Sequence, residues 1–180
     1  MSTDILNLIE SRQSDRQFDT SRSVEADKVE AILRAANLSP SACNAQPWKI
    51  IVVDDKSLTE EVGKAAAGLG MNKFAKDAPL HLIIVEESAN FSSMIGGKLK
   101  GKYFPLIDIG VLASHIILAA ESLGLGSCVL GWFDEDKIKE LLSIPKRKKV
   151  ILDIVIGYSE KPKRSKKRKS LDSIVSYNKY

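Results

Sequence analysis

The stretch Leu38–Val53, LSPSACNAQPWKIIVV, decides how the chain is read. It opens as a turn and closes as a strand. Pro40 cannot continue a preceding helix, and it biases Ser39 away from helical geometry. Ser41, Asn44 and Gln46 then offer small donors and acceptors, and Pro47 fixes the chain again before Trp48. Ile50, Ile51, Val52 and Val53 form a short β-branched run that reads as a buried strand. Polar groups are thus held on a stiff loop at the mouth of a strand, and loops positioned by a rigid scaffold often carry sites. Taken alone, the pattern also describes a plain helix-to-strand connection.

Working outward, Val24–Asn37 is the clearest helix. Val29, Ile32, Leu33 and Ala36 follow helical spacing, with Ser23 as the expected N-cap. Before it, Asp4 is expected to cap a first helix that carries Ile5, Leu8 and Ile9 on one face. After the strand, Ser57-x-x-Glu60 matches a capping box, predicting a third helix through Ala67 that Gly68 and Gly70 end. Asp77-Ala78-Pro79 leads into a second strand, Leu80–Val85. Residues 86 to 104 show no clear period and hold Gly96, Gly97 and Gly101, so a loop or short helix is expected there.

Pro105–Leu123 reads as a long apolar helix with Ile109, Leu112, Ala113, Ile116, Ile117 and Ala120 on a wide face. Gly124 stops it at the C′ position. Asp134 caps a short helix that Pro145 ends, and Val150–Gly157 is the last strand. No repeats or linkers appear, and 180 residues suit one domain with a sizeable core.

Composition excludes several classes. No run approaches 18 consecutive apolar residues, and the acidic, amphipathic N-terminus does not look like a signal peptide. Cys43 and Cys128 are the only cysteines and form no CxxC pair, so a reducing cytoplasm is expected. The net charge of +4 hides an asymmetry: residues 146 to 169 hold eleven Lys or Arg against Asp153 and Glu160, a local +9, which leaves −5 for the rest. His81 and His115 are the only histidines, both in predicted buried elements, and no metal-ligand cluster is visible. Cys43 has no histidine near it in sequence to activate it. A chain with so few catalytic side chains can still be an enzyme if a cofactor carries the hard chemistry.

Five motifs, in order, are similar to those of the nitroreductase family of flavin enzymes. They are Arg12-Gln13-Ser14-Asp15-Arg16-Gln17-Phe18 as R-x-S-x-R-x-F, Pro40–Trp48 as P-S-x-x-N-x-Q-P-W, Asn72 with Asp77-Ala78-Pro79, Gly124-Leu125-Gly126 leading to Gly131, and a basic C-terminal arm. The resemblance implies an α+β fold, with a mainly antiparallel sheet flanked by helices, and a homodimer that exchanges the arm 161–180. It implies FMN as cofactor and NADH or NADPH as co-substrate. Arg12, Gln13, Ser14 and Arg16 would contact the phosphate and ribityl chain. Pro40, Ser41, Ala42, Asn44, Gln46 and Asn72 would contact the flavin, and Leu130 and Gly131 its reactive edge. Arg168, with Lys166, would add basic contacts to the phosphate. The other basic residues of 161–169 are expected to form a solvated face. The reaction implied is ping-pong reduction of nitroaromatics, quinones or similar electrophiles. The competing reading is a flavin-binding or basic-tail interaction protein without turnover.

Overall fold

The computed structural model describes residues 3–68, 70–88, 101–159 and 161–180. Residues 89–100, the greater part of the expected loop between the second strand and the long helix, lie outside the described residues. In chain order the elements are α1 (Thr3–Ser11), α2 (Ala26–Asn37), β1 (Trp48–Val53), α3 (Lys56–Ala66), β2 (Leu80–Glu86), α4 (Phe104–Ser122), β3 (Gly126–Leu130), α5 (Glu135–Leu141) and β4 (Lys149–Gly157). The four strands form one sheet in the order β1-β2-β4-β3, antiparallel throughout.

The two central strands explain the apolar runs. β2 is buried on both faces except at its end, so it has no reason to alternate. One of its faces, Leu80, Leu82 and Ile84, packs with Ile154 and Ile156 of β4 against Ile32 of α2 and Ile109, Leu112 and Ile116 of α4. The opposite face, Ile83 and Val85, packs against Val62 of α3 and Ile138 of α5. By length and composition α4 is apolar enough to cross a membrane. In the fold it is the core helix, and its buried face includes Asp108. His81 is fully buried between the layers and meets Asp153 at 2.9 Å across the β2–β4 ladder.

Several local expectations are corrected. Glu25, not Ser23, holds the N-cap position of α2. Asp55, not a Ser57 capping box, caps α3: its carboxylate accepts from the Ser57 and Leu58 N–H groups. A carboxylate is the stronger acceptor for the positive end of a helix, and Asp55 also holds the Ser57 hydroxyl. Asp4 lies within the first turn of α1 and not at its cap. β1 is an edge strand, and only Val53 of it is fully buried. Ile5 and Ile9 of α1 are exposed, so this apolar face is not covered by the chain itself.

Candidate functional site

Residues 12 to 19 leave α1 and run along the start of β3 and the end of β4. Ser14 bridges Ser127, and Phe18 bridges Ser159. The Asp15 N–H donates to the Ser127 carbonyl at 2.9 Å, and the Asp19 N–H to that of Tyr158 at 2.9 Å. In such an extended segment side chains alternate. Arg12, Ser14 and Arg16 turn to one side, while Gln13 and Asp15 are buried. The close approach requires glycine at 126, where a Cβ would lie 2.8 Å from Asp15 Oδ2 and 2.9 Å from Ser159 Cβ.

The C-terminal arm returns across this segment. Lys163 pairs with Glu121 at 2.7 Å. Arg164 donates from its backbone N–H to Gln13 Oε1 at 3.0 Å and from Nη2 to the Ser14 carbonyl at 2.7 Å. Lys166 Nζ reaches the Ile9 carbonyl at 3.5 Å. Between the two segments lies a cavity of about 310 Å³ lined by Arg12, Gln13, Ser14, Arg16, Arg164, Ser165, Lys166, Lys167 and Arg168. Six of these side chains are cationic and none is acidic. Among the described residues none of the six pairs with a carboxylate. Six mutually repelling cations around one concavity make a strong positive potential that a multivalent anion relieves, and the arginines present planar forks suited to phosphate.

The basin gathers Arg12, Ser14, Arg16, Lys166 and Arg168, as the sequence reading expects. It also brings in Arg164, which lines the basin and bonds the Ser14 carbonyl, while Lys163 pairs with Glu121; both side chains remain exposed. The amide of Gln13 is spent within the protein, on Asp15 and Arg164, so this residue is not a free ligand. Residues 163–166 bond to their own chain, and all of 161–180 apart from the half-buried Lys166 is exposed.

Pro40, Ser41, Ala42, Asn44 and Gln46 do not line this basin. Their loop opens β1, at the sheet edge opposite to β3. Cys43, Asn44 and Gln46 have left-handed φ of 53°, 51° and 46°, a conformation that costs non-glycine residues about 1–2 kcal/mol each. The loop is held by local bonds: the Gln46 N–H donates to Ser41 Oγ at 2.9 Å, and Gln46 Nε2 donates to Asn44 Oδ1 at 3.0 Å.

Asn72, Leu130 and Gly131 form a third group, at the far end of β3. Asn72 Nδ2 donates to the Trp132 carbonyl at 2.9 Å. Leu130 is buried, whereas Gly131 is exposed and a Cβ there would meet nothing within 4 Å. The exposed Trp132 stands beside this open backbone, an aromatic the sequence reading passed over. Ser127, against the Arg12–Arg16 segment, and Leu130 are three residues apart on β3, about 10 Å at strand rise.

A sequence model of the nitroreductase family matches residues 9–81 and 67–158. The chain belongs to the nitroreductase family. It is 33% identical over 159 residues to a Methanothermobacter thermautotrophicus protein provisionally named NADH dehydrogenase/NAD(P)H nitroreductase, spanning 86% of this chain and 77% of that relative. It is 28% identical to the oxygen-insensitive NADPH nitroreductase of Helicobacter pylori, over 93% of this chain and 94% of the relative. The solved FMN-dependent nitroreductase of Clostridium difficile superposes with a TM-score of 0.77 at 30% identity, covering 97% of this chain and 99% of its own. The antiparallel sheet with helices on both faces is the nitroreductase fold.

Proposed function

We propose that this chain is an FMN-dependent oxidoreductase that takes electrons from NADH or NADPH and reduces electrophiles such as nitroaromatics or quinones. The observation that carries the reading is the six-cation basin without a carboxylate, set beside β3. The donor set fits the dianionic phosphate of FMN: Arg12, Arg16, Lys166 and Arg168 would hold it, with Ser14 as a neutral donor. Gly131, open to solvent at the far end of the strand, offers bare backbone to a flat ring, with Asn72 beside it. When bound, FMN would supply the redox chemistry, hydride and electron transfer between nicotinamide and acceptor.

The chain's own residues bind, orient and keep the donor and acceptor in turn at one face, which makes the kinetics ping-pong. The Ser41–Gln46 loop lies away from the basin, and in this reading it completes the flavin site of a second copy in a homodimer. The setting proposed is the cytoplasm. Nucleic acid is not the proposed partner: the basic residues Arg12, Arg16, Arg164, Lys166, Lys167 and Arg168 gather around one concavity of phosphate size, and Lys163 is paired with Glu121.

The test is a titration of flavin-free protein with FMN. Arg16→Ala is expected to weaken binding by about 1.5–3 kcal/mol, the cost of a charge-assisted hydrogen bond. The loaded protein is expected to oxidise NAD(P)H in the presence of a quinone. Unchanged affinity in Arg16→Ala removes the basin as the phosphate site. Salt-sensitive DNA binding by a protein that takes up no flavin supports the interaction-protein reading instead.

A further inference from the structure

In R-x-S-x-R the two variable positions hold Gln13 and Asp15, and the fold buries both, at 6% and 2% exposure. Gln13 Nε2 donates to Asp15 Oδ1 at 2.8 Å, and Ser159 Oγ donates to the same oxygen at 2.7 Å. Gln13 Oε1 faces the other way and accepts from the backbone N–H of Arg164 at 3.0 Å. Arg164 then closes over the segment, with Nε toward Gln13 Oε1 at 3.4 Å and Nη2 on the Ser14 carbonyl at 2.7 Å. One amide side chain therefore joins the floor of the basin to its C-terminal wall.

We propose that Gln13 and Arg164 are positioning residues: a latch that holds the C-terminal arm over Arg12–Arg16 so that Lys166 and Arg168 converge on the flavin phosphate. The inference rests on the FMN reading of the basin. Its physical basis is how little else anchors the arm: the half-exposed Lys163 on Glu121, and two long contacts at 3.5 Å, Lys166 Nζ to the Ile9 carbonyl and Gln13 Nε2 to the Pro162 carbonyl. Residues 161–180 contain no helix or strand beyond one short turn, and their four basin cations, Arg164, Lys166, Lys167 and Arg168, are repelled by Arg12 and Arg16 and by one another. Without an anchor the arm loses its order, because no apolar burial offsets its chain entropy. Gln13 suits the role because a neutral amide both donates and accepts: it donates to one oxygen of the buried Asp15 carboxylate below and holds the arm's N–H above, without adding charge beside an anion site. Asp15 fixes the amide's orientation, and Ser159 fixes Asp15.

The experiment uses Gln13→Met, Arg164→Met and the double variant in the full chain. Two quantities are read: FMN affinity, and hydrogen exchange of the arm's backbone amides in flavin-free protein. In Gln13→Met the Arg164 amide loses its acceptor. Exchange there is expected to rise roughly tenfold and FMN affinity to fall roughly tenfold, the effect of losing about one net hydrogen bond. Arg164→Met keeps the Arg164 backbone N–H on Gln13 but loses the guanidinium's contacts with Gln13 and the Ser14 carbonyl, so it is expected to raise arm exchange and weaken FMN binding as well if Gln13→Met folds poorly. The double variant is expected to lose less than the sum of the two singles, since both weaken one crossing of arm and segment. Faster exchange with unchanged FMN affinity overturns the proposal. Weakened FMN binding with unchanged exchange overturns it too, and makes Gln13 a direct ligand. Additive losses in the double variant also overturn it. Wild-type protein that takes up no FMN overturns the flavin reading itself; wild-type protein that binds FMN, with variants that match it in both measurements, overturns the latch alone.

Discussion

Asp108, buried in the second turn of the long core helix α4, accepts a hydrogen bond from the backbone N–H of Ala42 at 3.1 Å, while its second carboxylate oxygen has no partner among the described residues. A half-satisfied buried carboxylate is costly. Its position explains its presence: it anchors the loop whose Cys43, Asn44 and Gln46 are held in left-handed conformations. Asp108→Ala is expected to weaken that anchoring by about 1.5–3 kcal/mol and to lower acceptor turnover through the loop. Asp108→Asn keeps an acceptor and removes the charge, so its melting temperature should match or exceed that of Asp108→Ala. Wild-type turnover in Asp108→Ala would show that the loop holds itself.

The second glycine of Gly124-Leu125-Gly126 is a packing requirement. Replacing Gly126 by Ala puts a methyl 2.8 Å from Asp15 Oδ2 and 2.9 Å from Ser159 Cβ. Neither neighbour is the loose end of a long side chain. Gly126→Ala should cost about 1–3 kcal/mol of stability through overpacking, measured by denaturant midpoint. FMN affinity should fall with it, since the displaced segment carries Arg12 and Arg16. Gly124→Ala makes a useful contrast: it meets no atom within 4 Å, but its φ of 74° still strains an L residue. If Gly126→Ala is as stable as wild type, the 12–19 segment is not packed as described.

Much of this was legible in the sequence, for identifiable reasons. The apolar run of β2 and the wide apolar face of α4 announce burial directly, because both elements are enclosed. Arg12, Ser14 and Arg16 were legible only through the resemblance of their motif; the extended pairing beside β3 that turns them to one side is visible only in the fold. Arg164 was not, since its role depends on Gln13, 151 residues away. In the arm the resemblance pointed only to Arg168 and Lys166. Gln13 and Asp15 were opaque for the same reason: buried polar residues declare themselves only through their partners. The cap of α3 was misread because Ser57 fits a capping box, while Asp55 two residues earlier offers the stronger acceptor.

Burial pushes the Cys128 thiol above its ordinary value of 9.0, against the opposing pull of the Arg16 charge and the Ser14 hydrogen bond. The unfolded chain therefore gives up this proton at lower pH than the folded one does. The stability linked to this group is complete below about pH 9 and is lost as pH rises through the folded value. Wild-type stability should accordingly fall more steeply between pH 8 and pH 10 than that of Cys128→Ala, whose own loss of side-chain volume shifts the curve without changing its slope. Parallel pH profiles from urea denaturation would mean that the thiol does not contribute.

The last expectation concerns assembly. Ile5, Leu6 and Ile9 of α1 and Leu106 and Ile107 of α4 are exposed at 48–58%, and Leu171, Ile174 and Tyr177 of the arm are more exposed still. These two helices pack on each other, so their uncovered apolar side chains belong to neighbouring surfaces. Scattered apolar residues are ordinary on a monomer, but so many on adjoining elements mark a surface that another chain covers. A tail that carries Leu171, Ile174, Val175 and Tyr177 with no core of its own gains the same cover by lying on a partner. Light scattering is expected to report a dimer, and the double change Ile5→Glu with Ile9→Glu to shift it toward monomer, since each buried isoleucine contributes about 1.5–3 kcal/mol. Because the Ser41–Gln46 loop is proposed to reach the partner's flavin, the same double variant should also bind FMN more weakly, although it leaves every basin residue in place. A stable monomer that binds FMN as tightly as the wild type would sink the shared-site arrangement.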